Sequence, residues 1–299
     1  MNIVSVQDAF TASVAGRPVT IVPNCGNAGD SLINHAIYSF AKKMNVEFEV
    51  EDPRRLGGIN SDRCYLIMAN GALVGNDHVL DRVVAEINGK APMILFSATI
   101  ADRDELLLSL HESTVIVCRE LVTYRYVKSI RDDLRVILSE DATMAIADGV
   151  AQLPNAKALP LFVHFIRVMA KLFLFRGPIL LPLVPHRFSL LKGLSDEHLS
   201  AYRIDGEKTN IKLPKGNLDL SVLLSTRKTD PDGAEAAADL FLRVLKSAKG
   251  VKTNRLHIAI GCCLAGVKCD VSANSYFKVR AIFEHSLKSR FSKILKWAQ

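Results

Sequence analysis

The sequence predicts an α/β chain built on doubly wound parallel sheets, and three observations carry that expectation. Short apolar runs, among them Arg17–Pro23, Val46–Val50, Arg63–Ala69, Ala91–Phe96 and Thr114–Cys118, alternate with longer stretches of helical spacing. Polar or glycine-bearing turns such as Asn24–Asp30 follow those runs, where the helices of a parallel sheet begin. The 299 residues are 49% hydrophobic, ample for one large or two ordinary cores.

In chain order, Met1–Gly16 reads as a short helix and Arg17–Pro23 as a strand. Ser31–Lys43 then shows helical spacing through Leu32, Ile33, Ala36, Ile37, Phe40 and Ala41. The glycines of the intervening turn let the backbone approach a ligand closely, while Asn27 and Asp30 either bind hydroxyls or cap the helix. Helices are expected at Val79–Ile87, Asp102–Leu110 and Leu121–Ile130, and a last strand at Leu134–Leu138. Asn70-Gly71-Ala72 and Ser97-Ala98-Thr99 are expected to follow strands and line one carboxyl edge. Arg119 follows a buried strand at a helix start; it suits an anion, or else pairs with Glu120 or a nearby Asp on the surface.

The pattern breaks over residues 151–197, which separates a first domain at 1–150 from a second at 198–299. Leu159–Pro185 is apolar, yet His164, Arg167, Lys171 and Arg176 interrupt it and Pro160, Pro178, Pro182 and Pro185 punctuate it. It is too interrupted to span a bilayer. Two readings stay open, a packed interdomain helix with snorkelling cations, or a helix lying on an anionic membrane surface.

Leu199–Ile204 resumes as a strand, and Ala234–Ala248 reads as an amphipathic helix ended by Gly250. Thr253 or Asn254 is expected to cap a helix whose first turn carries Arg255 and His257, beside unpaired N–H groups that attract anions. A strand at Gly266–Val271 leads to Asn274-Ser275-Tyr276-Phe277-Lys278, which opens a further helix. Phe291–Gln299 is a basic tail expected to pack back on the first domain.

Lys and Arg number 38 against 31 Asp and Glu, a net +7 that favours anionic partners. The cations are scattered and no nucleic-acid signature is present, so nucleic acid is not expected as a partner. Six cysteines lie mostly in apolar runs without zinc spacing and read as buried reduced thiols. Met1–Arg17 lacks the basic start, apolar core and cleavage site of a secretory signal, and a cytoplasmic protein is expected.

Thr253-Asn254-Arg255-Leu256-His257, Asn274-Ser275-Tyr276-Phe277-Lys278-Val279-Arg280-Ala281 and the upstream Asn27-Ala28-Gly29-Asp30 together resemble the polysaccharide pyruvyl transferases. The resemblance spans roughly Arg17–Ala147 and Leu199–Phe291. It implies two Rossmann-like domains facing a cleft, a GT-B-like fold. It also implies transfer of the pyruvyl unit of phosphoenolpyruvate to sugar hydroxyls as a ketal in exopolysaccharide or cell-wall polymer biosynthesis.

By the same resemblance, His257 and Lys278 are catalytic candidates. Arg119, Arg255, Leu256, Asn27, Gly29 and Ser275 are donor-binding candidates, and Asp30 and Tyr276 acceptor-binding ones. Asn254 stands where the family commonly has Asp, and the Ser97-Ala98-Thr99 turn lacks a histidine often found there. No cofactor beyond the donor substrate is required, and Mg²⁺ or Mn²⁺ stays open because Asp30, Asp141, Asp205, Glu207 and Asp219 are dispersed in sequence. Expected partners are phosphoenolpyruvate and a saccharide or lipid-linked oligosaccharide, with peripheral contact at the inner membrane face. The rival readings are a GT-B glycosyltransferase using a nucleotide sugar and a non-catalytic polysaccharide-assembly protein.

Overall fold

Strand β1 (Val19–Val22) is buried along its whole length, as expected of a strand covered on both faces of a parallel sheet. The computed structural model to which it belongs describes residues 3–70, 73–74, 78–176, 198–225 and 228–298. The chain forms two compact units, Met1–Cys25 with Ala36–Gln152, and Gly26–His35 with Leu153–Gln299.

In the first unit the other elements are α1 (Val6–Val14), the later part of α2 (Ala28–Lys43), β2 (Phe48–Val50), β3 (Cys64–Met68), β4 (Leu73–Val74), α3 (His78–Ile87), β5 (Met93–Ala98), β6 (Ile100–Ala101), α4 (Asp104–Ser109), β7 (Val115–Cys118), α5 (Leu121–Ile130), β8 (Arg135–Leu138) and α6 (Met144–Ala147). Six strands make one parallel sheet in the order β2-β1-β3-β5-β7-β8. The order reverses between β1 and β3, and open α/β sheets bind ligands beyond the carboxyl ends at such a point.

Helices α3, α4 and α5 cover one face, with Leu80, Val83, Val84, Ile87, Leu107 and Val127 packed on Tyr65, Ile67, Met93, Leu95 and Ile116. On the opposite face Phe10 of α1 meets Phe40 and Phe96 edge-on, with ring centroids 4.9 and 6.0 Å away. Burying a ring such as Phe10 contributes about 1.5–3 kcal/mol. The predicted strands and helices of this half are present. The two-residue pair β4 and β6 was not foreseen, being too short to show a period.

The predicted Ser97 turn needs correction, because β5 runs on through Ala98 with a shift of register between Leu95 and Ala98. Ser97 takes φ 54° and Asn70 φ 31°, a left-handed backbone that non-glycine residues adopt at a cost. Gly71 and Ala72 lie outside the described residues.

The second unit holds α7 (Ala158–Arg176), β9 (Leu199–Ser200), α8 (Leu220–Leu223), α9 (Pro231–Lys246), β10 (Val251–Thr253), α10 (Leu256–Ala265), β11 (Cys269–Val271), α11 (Lys278–Ile282) and β12 (Leu295–Trp297). Four parallel strands pair in the order β12-β11-β10-β9. Within the basic tail Leu295–Trp297 pairs with Cys269–Val271 as an edge strand of this sheet, anchored by buried Leu295.

The predicted strand Leu199–Ile204 stops at Ser200, because side chains capture the backbone that follows. Arg203 N–H donates to Asn254 Oδ1 (2.9 Å) and Ile204 N–H to Asp219 Oδ2 (3.1 Å). Helix α9 starts three residues before the expected Ala234, since Asp230 caps it, accepting from Gly233 N–H, and Pro231 occupies its first turn. Gly266 is not in a strand; at φ 72° it ends α10 as a left-handed cap. Of the apolar segment at 159–185, residues up to Arg176 form α7, which packs against α9. Pro178, Pro182 and Pro185 lie outside the described residues.

Candidate functional site

The turn between β10 and α10 is built by polar side chains. Thr253 Oγ1 donates to Ala201 O (2.8 Å) and accepts from Arg255 N–H (3.0 Å), while Asn254 Oδ1 takes the Arg203 N–H. These bonds tie the end of β10 to the segment after β9. Arg255 keeps an extended backbone, φ −104° and ψ 123°, and stands at the cap of α10 rather than in its first turn. His257 does lie in that first turn, half-buried.

Against His257 sits the start of α2. A methyl group on Gly29 would stand 2.6 Å from His257 Cβ and 2.7 Å from Nδ1, so only glycine fits there. The predicted glycine loop is in fact the helix start: Asn27 Oδ1 accepts from Gly29 N–H (2.8 Å) and Asp30 Oδ2 reaches back to Asn27 N–H (2.7 Å). That reciprocal pattern is a capping box, so both side chains hold the turn that presents Gly29. Ser225 Oγ donates to Gly26 O (3.0 Å) and fastens the same turn.

Around Arg255 the fold gathers six charges, three of each sign. Arg255 Nη2 donates to Asp205 Oδ2 (2.6 Å) and to Asp219 Oδ2. Arg203 Nε donates to Asp205 Oδ1 (2.8 Å), and its Nη1 to Glu207 Oε2. Glu207 Oε2 also accepts from Lys278 Nζ (2.8 Å) and Asn274 Nδ2 (3.1 Å). One carboxylate thus links the Arg203 segment to the Asn274–Lys278 loop.

Burial pushes the Asp205 carboxyl up, but hydrogen bonding to Arg203 and the charges of Arg255 and Arg203 outweigh it and hold it far below the usual range. Glu207 is likewise lowered, Lys278 and Arg203 overcoming its burial. Burial lowers the Arg203 guanidinium, and Asp205 and Glu207 raise it more. The dispersed acids Asp205, Glu207 and Asp219 are therefore brought together, each compensated by a cation. The sequence offered a signal for this, the run Arg203-Ile204-Asp205-Gly206-Glu207 directly after a strand of the sheet that also carries Arg255.

The other predicted residues of this unit sit as follows. Tyr276 lies with its ring 5.0 Å from Lys278 Nζ, a cation–π distance. Ser275 is exposed and its N–H donates to Glu207 O (3.2 Å). Leu256 is 3% exposed and begins α10 as a core residue.

Arg119 belongs to the first unit, where it follows β7 directly. It is fully buried: Nε donates to Thr99 Oγ1 (2.8 Å) and Nη1 to Asp141 Oδ2 (2.7 Å), with both charged side chains 0% exposed. A surface pairing with Glu120 is thus overturned; Glu120 caps α5 instead, accepting from Thr123 N–H. Thr143 holds the second Asp141 oxygen through its N–H (3.1 Å) and hydroxyl. Arg119 Nη2 is buried with no hydrogen-bond partner among the described residues, and so is Arg255 Nε. A buried unsatisfied donor of this kind is costly, about 1–3 kcal/mol or more for a charged group.

Among the described residues no group of three or more His, Cys, Asp or Glu side chains is disposed to hold a metal ion. None of their helices is long and apolar enough to cross a membrane. None of the six cysteines is in a disulfide, and all but Cys25 are buried.

Fold and residues together define an open-sheet α/β protein whose chemistry-bearing side chains stand at the carboxyl ends of parallel strands. Within that class, the chain belongs to the polysaccharide pyruvyl transferase family, whose profile matches residues 27–276, and that family is one of transferases. A crystal structure of a functionally uncharacterised protein from Klebsiella pneumoniae subsp. pneumoniae NTUH-K2044 has the same fold. It superposes with TM-score 0.71 at 21% identity over 97% of this chain and 96% of that one. No curated protein matches the chain.

Proposed function

We propose that this protein moves the pyruvyl group of phosphoenolpyruvate onto two hydroxyls of a saccharide, giving a cyclic ketal in exopolysaccharide biosynthesis and releasing phosphate. The reading rests above all on the turn Arg255-Leu256-His257, in which His257 is seated against Gly29. The reaction delivers one proton to the donor's methylene carbon while a sugar hydroxyl attacks the adjacent carbon. Phosphate then leaves and the second hydroxyl closes the ketal; of the two hydroxyl protons displaced, one ends on the new methyl group and one on phosphate.

His257 is the group that gives and takes the proton, a service worth about 10²–10⁴ in rate. Arg255 and Lys278 meet the donor's carboxylate and phosphate, as a polyanion requires. Arg119 keeps a donor-binding role in this proposal, supported by its unpartnered Nη2. Asn27, Gly29 and Ser275 present backbone near the donor, with Leu256 packed behind, while Asp30 and Tyr276 face the acceptor. The GT-B-like pairing of two halves, drawn from the family resemblance, goes with the same reading, as do a cytoplasmic location and peripheral membrane contact beside a lipid-linked acceptor, drawn from the sequence of Met1–Arg17 and of the apolar 159–185 segment. A divalent ion enters no step assigned here.

The test is His257→Ala, assayed for phosphate release from phosphoenolpyruvate with a saccharide acceptor. A fall of about 10² or more is expected. Activity within about threefold of the parent removes His257 from the chemistry.

A further inference from the structure

Helix α7 packs one side and leaves another bare. His164 and Val168, four residues apart, are buried. The backbone leading into the helix is fastened to α9, Asn155 N–H donating to Glu235 Oε1 (3.1 Å) and Ala156 N–H to Asp239 Oδ2 (3.1 Å). Away from that contact Leu159, Phe162, Val163 and Ile166 are 72, 60, 41 and 50% exposed, at the spacing of a single helical face. With Leu153 they are five of the thirteen large apolar side chains exposed among the described residues, so the bare surface is concentrated here.

Along the sequence this segment carries charge of one sign, while Glu235 and Asp239 of α9 meet its entry. Residues 149–195 contain Lys157, Arg167, Lys171, Arg176, Arg187 and Lys192 and no Asp or Glu, so this stretch supplies six of the chain's seven net positive charges. Lys157 and Arg167, which flank the stripe, are exposed.

We propose that this face of α7 is a docking surface for a lipid bilayer bearing anionic headgroups. The apolar stripe enters the boundary between headgroups and acyl chains, and the flanking cations meet lipid phosphates. A second copy of the chain fits poorly, because a two-fold contact would set these cations against their own counterparts with no acid in the segment to offset them. Docking lies on the surface rather than across the bilayer, in keeping with the interrupted apolar run.

The experiment is co-sedimentation with phosphatidylcholine vesicles, with and without phosphatidylglycerol, at rising salt. It contains neither donor nor acceptor, so its outcome is independent of the reaction assigned above. Binding is expected only with the anionic lipid, and it should weaken as salt screens the cations. Two variants, Phe162→Ser/Ile166→Ser and Lys157→Glu/Arg167→Glu, are each expected to lower the partition coefficient about tenfold or more while keeping the parent's circular dichroism. No binding by the parent, equal binding to neutral vesicles, or unchanged binding by both variants overturns the proposal. So does a parent dimer that Phe162→Ser/Ile166→Ser converts to monomer, because the face would then be a contact between copies.

Discussion

Arg119 and Arg255 each follow a parallel strand and each hold an aspartate, but the two units treat them differently. In the first unit Arg119 is sealed at 0% exposure with Asp141, itself fixed by Thr143, and the neighbouring Asn70 and Ser97 bear left-handed backbone. In the second unit Arg255 shares a network of six charges whose outer members, Asp205 and Glu207, remain 38% and 31% exposed at their side chains. A dry ion pair is nearly all geometry, since losing one partner strands the other away from water. A half-wet network can rearrange, water or an incoming anion replacing one of its members.

The sharpest way to break that contrast is to remove each arginine. Arg119→Ala leaves Asp141 charged and buried, and should cost about 3–5 kcal/mol in urea unfolding. Arg255→Ala should cost less, about 1–3 kcal/mol, because Asp205 can turn to water and Asp219 keeps the Ile204 N–H. Equal losses would mean that the second network is as closed as the first.

Next in size is Gly29→Ala. The added methyl must push His257 aside, so kcat for the pyruvyl transfer proposed above should drop about 10²-fold, with about 1–3 kcal/mol lost in stability to overpacking. An unchanged kcat would show that the seat of His257 does not set its reactivity.

A smaller effect is expected from Asp205→Asn. If an anionic donor competes with Asp205 for Arg255, neutralising that carboxylate should tighten phosphoenolpyruvate binding by up to roughly fivefold, since one exposed charge contact is worth up to about 1 kcal/mol. Calorimetric titration reads it, and weaker binding would show that Asp205 supports the donor instead.

The pH dependence is the mildest. Asp205 and Glu207 have folded-state affinities for protons below those of the unfolded chain. Their contribution is therefore complete above about pH 4 and is lost as pH falls below that, toward the folded values. The thermal midpoint should decline on acidification from about pH 5 to pH 3, and less steeply in Asp205→Asn/Glu207→Gln. Parallel curves for parent and variant would take these two groups out of the acid response.

Much of the architecture was legible in the sequence. Leu121–Ile130 was predicted with the bounds it has, because a strand's apolar run and helical spacing are local signals, whereas the cap supplied by Glu120 was not foreseen. Arg255 was misplaced by one position, since an extended residue at a cap and a helical one in the first turn look alike in sequence. The strand at Leu295–Trp297 was missed for a different reason, that its partner strand lies 26 positions away and three residues carry too little pattern to announce pairing.

Periodicity and capping residues, which act within one turn or one strand, let the sequence by itself determine the alternation of strands and helices and the places where polar turns follow strands. Arg203 meets Asp205 and Glu207 two and four residues on, within one legible run, but tertiary structure alone decided which acids meet Arg255. Asp205 and Asp219 reach Arg255 from 50 and 36 residues away, brought there by parallel pairing of β9 with β10 and by side chains that replace the ladder beyond Ser200. Coulombic attraction has no preferred separation along a chain, so no local pattern could have named those partners.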